Sequence, residues 1–402
     1  MRNIRFRAAF RVSLAGAFVM AGYEIVRSTA SSLFILHYGA SRLPYVLLMV
    51  PLIMFLGTYA FSVGLRKLGP YRLFQVSLLL ASLMMVLFSW TAQAGLTFAL
   101  FLYYLFGQAY IVFLVEEVWA FLNSTLSEEE GKRFNGAIIG LSTLGSVVGG
   151  LVTGRLSPVL GSEIIITLAS LLTLLGGFIG SAAFRIAPPQ VGKGKEPQRL
   201  RDHFAWDLFH RDSLILRLTL VVASAQIIST LLDVGFHKAL ETKIPLLDPR
   251  TAFLGYFWAA VNFAGLFIQF FATPLILRKL APRKVHGAIP LLHALFALGA
   301  LFSPTLIPMA IAFFLFKTVD YSLFRAAKEL LYIPLSFTAR YRAKMVVDAL
   351  VYRSAKGVAS GFLTLLSLVG AAPSMVFFPG ASLCFALFWF SQSRRLTEGK
   401  RG

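Results

Sequence analysis

Long apolar runs dominate the chain, and short polar clusters punctuate them. The runs extend over about 20 residues, the length a helix needs to cross the hydrocarbon core of a bilayer. They lack the ten-residue, period-two alternation of membrane barrel strands. Pro, Gly and charge punctuation predicts twelve helical spans, near residues 10–37, 43–64, 73–93, 96–122, 135–157, 161–185, 213–240, 251–277, 286–303, 306–333, 344–369 and 372–393. The expected fold class is an all-α membrane protein. The longest polar stretch, 187–212, holds Pro188, Pro189 and a Gly/Lys run, then Phe204, Trp206, Leu208 and Phe209 among charges. It reads as a cytoplasmic linker ending in a short interfacial helix, between an N-terminal six-helix bundle (1–186) and a C-terminal one (213–402).

Composition agrees with that pattern. Of 402 residues, 57% are apolar and 14% charged, with a mean hydropathy of +0.74, whereas soluble domains carry about a quarter charged residues. The 38 Lys+Arg against 18 Asp+Glu give a net charge of +20. These cations gather in every second turn: Arg66, Lys67 and Arg72; Lys132 and Arg133; Arg199, Arg201 and Arg211; Arg278, Lys279, Arg283 and Lys284; Arg340 and Arg342. That alternation speaks for membrane topology rather than nucleic-acid binding, and the positive-inside rule puts both termini in the cytoplasm. A multi-pass protein of the bacterial inner membrane is expected, with membrane lipids as partners, since the basic side attracts anionic head groups. Arg2, Arg5, Arg7 and Arg11 before the first run imitate a signal peptide, but Glu24 and Arg27 follow without a small-residue cleavage site. An uncleaved first span is expected. Cys384 is the single cysteine, so neither an intramolecular disulfide nor a cysteine metal site is expected. No zinc-protease, phosphate-loop or nucleophile-elbow signature occurs, and neither enzyme activity, cofactor nor metal is expected.

The chain also repeats itself. Leu65-Arg66-Lys67-Leu68-Gly69-Pro70-Tyr71-Arg72 returns 212 residues later as Leu277-Arg278-Lys279-Leu280-Ala281-Pro282-Arg283-Lys284. The same offset lays Lys132 on Lys344 and Glu117 on Glu329. Two parallel six-span repeats resemble the plan of the major facilitator superfamily, as does the glycine-framed basic turn after the second span, although the usual aspartate is absent here.

Ionisable groups at bilayer depth are costly unless paired or facing water, so each is a candidate functional residue. The first span carries Glu24 and Arg27, one helical turn apart; the fourth ends at Glu116 and Glu117. The seventh carries Asp233, His237 and Lys238, the tenth Lys317, Asp320, Arg325, Lys328 and Glu329, and the eleventh Lys344, Asp348, Arg353 and Lys356. The resemblance to the superfamily implies that spans 1, 4, 7 and 10 line a central cavity. On a wheel of about 3.6 residues per turn, Lys317, Tyr321, Phe324 and Lys328 share one face of the tenth span, flanked by Asp320 and Arg325. A basic, aromatic face suits an anion carrying a ring. Lys317 and Lys328 have an alternative reading, in which they snorkel to opposite membrane surfaces. His237 and His293 read as polar residues satisfied at span ends.

The stretch Asp320-Tyr321-Ser322-Leu323-Phe324-Arg325-Ala326-Ala327-Lys328-Glu329-Leu330-Leu331-Tyr332-Ile333-Pro334-Leu335 resembles the ATP/ADP nucleotide transporters of plastids and intracellular bacteria. The resemblance continues through Arg342, Lys344, Asp348, Arg353 and Lys356-Gly357. It includes Trp119 to Asn123 with Glu129-Glu130-Gly131-Lys132-Arg133-Phe134, and Tyr23-Glu24-Ile25-Val26-Arg27-Ser28-Thr29 in the first span. It implies a divergent member: the family's first-span Lys and Asp after Thr29 are Ala30 and Ser31 here, and its tenth-span Lys and Asp appear as Asp320 and Arg325. Asp233 keeps the carboxylate of the seventh-span pattern, with Phe236 in place of a tryptophan.

The expected function is transport of an anionic metabolite by alternating access, with ATP/ADP-type exchange as the leading reading. Arg27, Lys238, Tyr321, Arg325, Lys328, Arg353 and Lys356 are the candidate substrate contacts. Glu24, Glu117, Asp233, Asp320, Glu329 and Asp348 would balance those cations or carry coupling protons. The alternatives are a proton-coupled carrier of another organic anion or an anionic lipid, and a non-transporting scaffold that kept the fold. A monomer is expected.

Overall fold

The structure, a computed structural model, describes residues 2–125, 128–186, 213–333, 340 and 343–395. The 187–212 stretch lies outside them, as do the side chains of Lys132 and Arg133 and the whole of Pro334, Leu335 and Arg342. Every described element is a helix, and no strand occurs among the described residues. Nine helices among these residues are long and apolar enough to cross a membrane. The protein is thus an all-helical, multi-pass membrane protein.

Helix α1 covers Arg2–Tyr38, α2 Leu43–Gln93, α3 Thr97–Thr125, α4 Glu128–Leu160 and α5 Ser162–Ile186. Then come α6 (Ser213–Lys243), α7 (Leu247–Phe267) and α8 (Thr273–Lys279), the last two joined by a π-helical turn at Ile268–Ala272. Helix α9 is Pro282–Phe302; α10 (Leu306–Val319) passes through a π-turn, Asp320–Phe324, into α11 (Arg325–Tyr332). A third π-segment, Met345–Val351, leads into α12 (Tyr352–Leu368), and α13 is Phe377–Arg395.

The basic turn expected at 65–72 narrows to one non-helical residue inside α2, Gly69, at φ +72°. Only glycine adopts that left-handed conformation at little cost, and Pro70 then begins the second limb with its φ preset. At the repeated position, Leu280 and Ala281 leave the helix and Pro282 opens α9. The chain therefore breaks its helices one residue before the same proline in both copies of the motif.

Contacts group the chain into two units. The first takes Met1–Gly39, Leu52–Lys195 and Ile244–Phe263; the second takes Ala40–Pro51, Glu196–Lys243 and Ala264–Gly402. In the first unit α1 packs against α3, α4 and α5. Small residues permit this: a Cβ on Gly145 or Gly149 of α4 would stand 2.1 or 2.3 Å from the carbonyl oxygens of Ala17 and Ala21 on α1. On α4, Gly150 also closely meets Gly255 of α7, with 2.6 Å between a hypothetical Gly150 Cβ and the Gly255 oxygen. Lipid supplies no hydrophobic drive between helices, so such close backbone approach is how membrane helices gain packing energy. In the second unit α6 packs on α10, α12 and α13, and α9 on α10 and α13. Its core includes Trp389, which meets Phe324 edge-on at 4.9 Å and His293 at 5.6 Å. Large apolar side chains such as Phe55 and Phe178 remain exposed, as expected of surfaces facing hydrocarbon.

Candidate functional site

In the first unit Glu24 and Arg27 of α1 both meet side chains of α7. Glu24 is 1% exposed; its Oε1 lies 3.7 Å from Arg27 Nη1 and accepts a 2.9 Å hydrogen bond from Asn262 Nδ2. The Arg27 guanidinium carbon sits 3.1 Å from the ring centroid of Trp258 and 5.8 Å from that of Tyr23. Trp258 and Asn262 are four residues apart, so one face of α7 supplies both the ring and the amide. Stacking on a π-face suits the planar, weakly hydrated guanidinium, and the carboxylate balances its charge. Further along α1, Thr29 and Tyr103 share a 2.7 Å hydroxyl hydrogen bond. Ala30 and Ser31, the positions that depart from the family pattern, are both buried. On α3, buried Glu117 accepts a 2.7 Å hydrogen bond from Ser77 Oγ of α2.

The second unit holds a denser cluster. Lys317 of α10 is 5% exposed, donates to Ser229 Oγ of α6 at 2.8 Å, and lies 5.3 and 5.6 Å from the rings of Phe313 and Tyr321. It does not snorkel to a surface. One turn along α6 from Ser229, Asp233 Oδ1 is 3.0 Å from His237 Nδ1. Lys356 of α12 lies 5.3 Å from the ring of Tyr352. Asp320 is buried, while Arg325 is exposed. Cations, carboxylates and phenol rings thus stand on α6, α10 and α12, of which α6 packs on the other two, an arrangement whose cations can hold an anion and whose carboxylates neutralise those cations when it leaves.

Lys328, Glu329 and Lys238 have other partners. Lys328 Nζ contacts Asp348 Oδ1 at 2.5 Å, and the Tyr332 hydroxyl donates to the same oxygen at 3.1 Å. Glu329 pairs with Lys344. Lys238 donates to the carbonyl of Pro373 at 3.0 Å and lies 5.3 Å from the ring of Phe378, and Arg353 is half-buried.

The shared face expected for Lys317, Tyr321, Phe324 and Lys328 is split. Lys317 and Tyr321 stay together, but Phe324 turns to Trp389 and Lys328 to Asp348. The cause is the π-turn at Asp320–Phe324, whose wider winding shifts every later side chain off the 3.6-residue wheel. That turn packs against the π-turn at Ile268–Ala272. Sequence reasoning also missed Trp258, Asn262, Ser229 and Tyr352 as site residues. Asn262, a polar residue inside an apolar run, was the available signal.

No known family profile matches the chain. Among characterised proteins it is similar to ADP,ATP carrier protein 1 of Chlamydia pneumoniae, 25% identical over 301 residues, which are 63% of this chain and 58% of that protein. It is also similar to ADP,ATP carrier protein 1 of Chlamydia trachomatis serovar D, 23% identical over 330 residues, 70% of this chain and 61% of that one. The chain thus spans about three fifths of the length of the relatives it matches. Its fold is similar to a mutant of the nucleoside transporter NupG, with TM-score 0.71 and 11% identity over 98% of this chain and 100% of that one. A bacterial homologue of the iron transporter ferroportin, in an inward-facing state, gives the same TM-score at 15% identity over 97% and 98%. The chain is therefore similar in sequence to ADP,ATP carrier proteins and in fold to solved membrane transporters.

Proposed function

We propose that the chain carries an anionic metabolite across the membrane by alternating access, and that the metabolite is a nucleotide exchanged in ADP/ATP fashion. The observation that carries this reading is the buried Lys317, held by Ser229 beside the Tyr321 ring, with half-buried Asp233 and Lys356 on the helices packed with it. Such residues are retained in hydrocarbon at a cost that a polar cargo explains. Similarity to proteins named ADP,ATP carriers supports the nucleotide.

In this proposal twelve spans form two six-helix repeats, 1–186 and 213–402, joined by the 187–212 linker, with both termini cytoplasmic in a bacterial inner membrane. Arg27, Lys238, Tyr321, Arg325, Lys328, Arg353 and Lys356 contact the anion in turn, joined by Lys317. Glu24, Glu117, Asp233, Asp320, Glu329 and Asp348 balance those cations when the site is empty. Exchange is the reading put before proton symport because Glu24, Glu329 and Asp348 each stand beside a cation, Arg27, Lys344 and Lys328, and Asp233 beside His237.

Two measurements test it. A thermal-shift screen of the purified protein against ATP, ADP, other phosphorylated metabolites and lysolipids should single out a nucleotide, since a native-state ligand at 100 times its Kd adds about 2.7 kcal/mol of apparent stability. In proteoliposomes, labelled ADP should enter only against internal nucleotide and with little dependence on a pH gradient. Accumulation driven by an inward proton gradient into vesicles without internal substrate overturns exchange; stabilisation by lysolipids alone overturns the nucleotide.

A further inference from the structure

We infer that the first unit binds one anionic diacyl phospholipid in a groove between the second limb of α2 and α5. A cavity of about 310 Å³ runs between these helices, with Leu78, Leu79, Leu174 and Phe178 along its length. Phe178 is 74% and Leu79 53% exposed, so the trough opens outward to hydrocarbon. It exists because Gly177 contributes no side chain at its floor, where a Cβ would stand 3.5 Å from Leu78.

One end of the trough is polar. Arg185, in the last turn of α5, donates from Nε to the Tyr71 hydroxyl at 3.3 Å, and Gln75 Nε2 donates to the same oxygen at 3.1 Å. Tyr71 accepts twice, which leaves its own O–H to donate outward. The terminal N–H groups of Arg185 have no protein partner among the described residues. Arg72, next to Tyr71, is exposed, as are Arg66 and Lys67 one turn back across the Gly69 break. No carboxylate lines the cavity.

A planar guanidinium with free N–H groups, a phenol donor and further cations match a phosphodiester, which they bind by charge-assisted hydrogen bonds. The apolar trough leading away from them matches an acyl chain. A free phosphate would leave the trough unexplained, and a zwitterionic lipid would leave the excess of cations unbalanced. The site stands on the outer face of one unit and does not depend on the substrate proposed above.

Native mass spectrometry of the full-length protein, purified and delipidated, tests this with dioleoyl phosphatidylglycerol and dioleoyl phosphatidylcholine as probes. The wild type should retain one phosphatidylglycerol about tenfold more tightly than phosphatidylcholine, the scale of one charge-assisted hydrogen bond. Arg185→Ala, a surface change, should bring the two lipids near parity. Gly177→Phe should lower retention of both, and Gly177→Leu serves if the larger ring impairs folding. Equal retention of the two lipids by the wild type, the result for an unselective lipid shell, overturns the inference. So does unchanged phosphatidylglycerol binding in the Arg185 and Gly177 variants.

Discussion

Arg27 offers the sharpest test of how this protein keeps charge inside a membrane. Arg27→Met leaves an apolar stem that still packs on Trp258 but removes the guanidinium. Glu24, 1% exposed, then retains only the Asn262 amide as a donor among the described residues. Removing one member of a buried ion pair costs about 3–5 kcal/mol, because the other charge stays behind without its partner. The desolvated cation–π contact adds up to about 2 kcal/mol to what is lost, partly offset by the retained methylene packing. We expect Arg27→Met to destabilise the protein by about 3–5 kcal/mol. Adding Glu24→Gln removes the stranded charge and keeps a polar partner for Asn262, so the double variant should recover about 1–3 kcal/mol, the usual coupling between contacting residues. Equilibrium unfolding of the purified protein in mixed micelles by increasing SDS, followed by tryptophan fluorescence, measures all three. A single variant within about 1 kcal/mol of wild type, or a double variant no more stable than the single, refutes the ion-pair account.

Two further outcomes follow from the geometry. Lys328→Ala should weaken binding of the best ligand from the thermal-shift screen by about 1.5–3 kcal/mol, the scale of a charge-assisted hydrogen bond; unchanged affinity in a stable variant would remove Lys328 from the site and leave it a structural partner of Asp348. Gly255→Leu places a side chain where a Cβ already comes within 2.6 Å of the Gly154 nitrogen and 2.7 Å of the Gly150 oxygen, so melting should show a loss of about 1–3 kcal/mol or more.

Legibility differed from residue to residue. Glu24 and Arg27 could be paired on paper because i,i+3 neighbours meet on any helix, and the structure pairs them. The partners that complete the pair, Asn262 and Trp258, come from α7; Asn262 is 238 residues away from Glu24, and nothing in local spacing ties it there. The glycines of α4 at 145, 149, 150 and 154 were visible as small residues four apart, yet which helix each would meet was not. The tenth-span wheel failed at Asp320–Phe324 because it assumes a constant winding. A π-turn forms where packing against a neighbour outweighs the regular hydrogen-bond ladder, and here that neighbour is another π-turn.

The amino-acid sequence alone determined that this is an all-helical membrane protein. Apolar runs of bilayer length leave no other way to satisfy backbone hydrogen bonds, and the Gly69-Pro70 and Ala281-Pro282 pairs set where two helices break. Only the tertiary structure decided which charges meet. Lys317 is held by Ser229, Lys328 by Asp348, and Arg27 by Trp258, because side-chain partnerships in hydrocarbon are chosen by which helix faces are brought into contact and by how each helix is wound at that point.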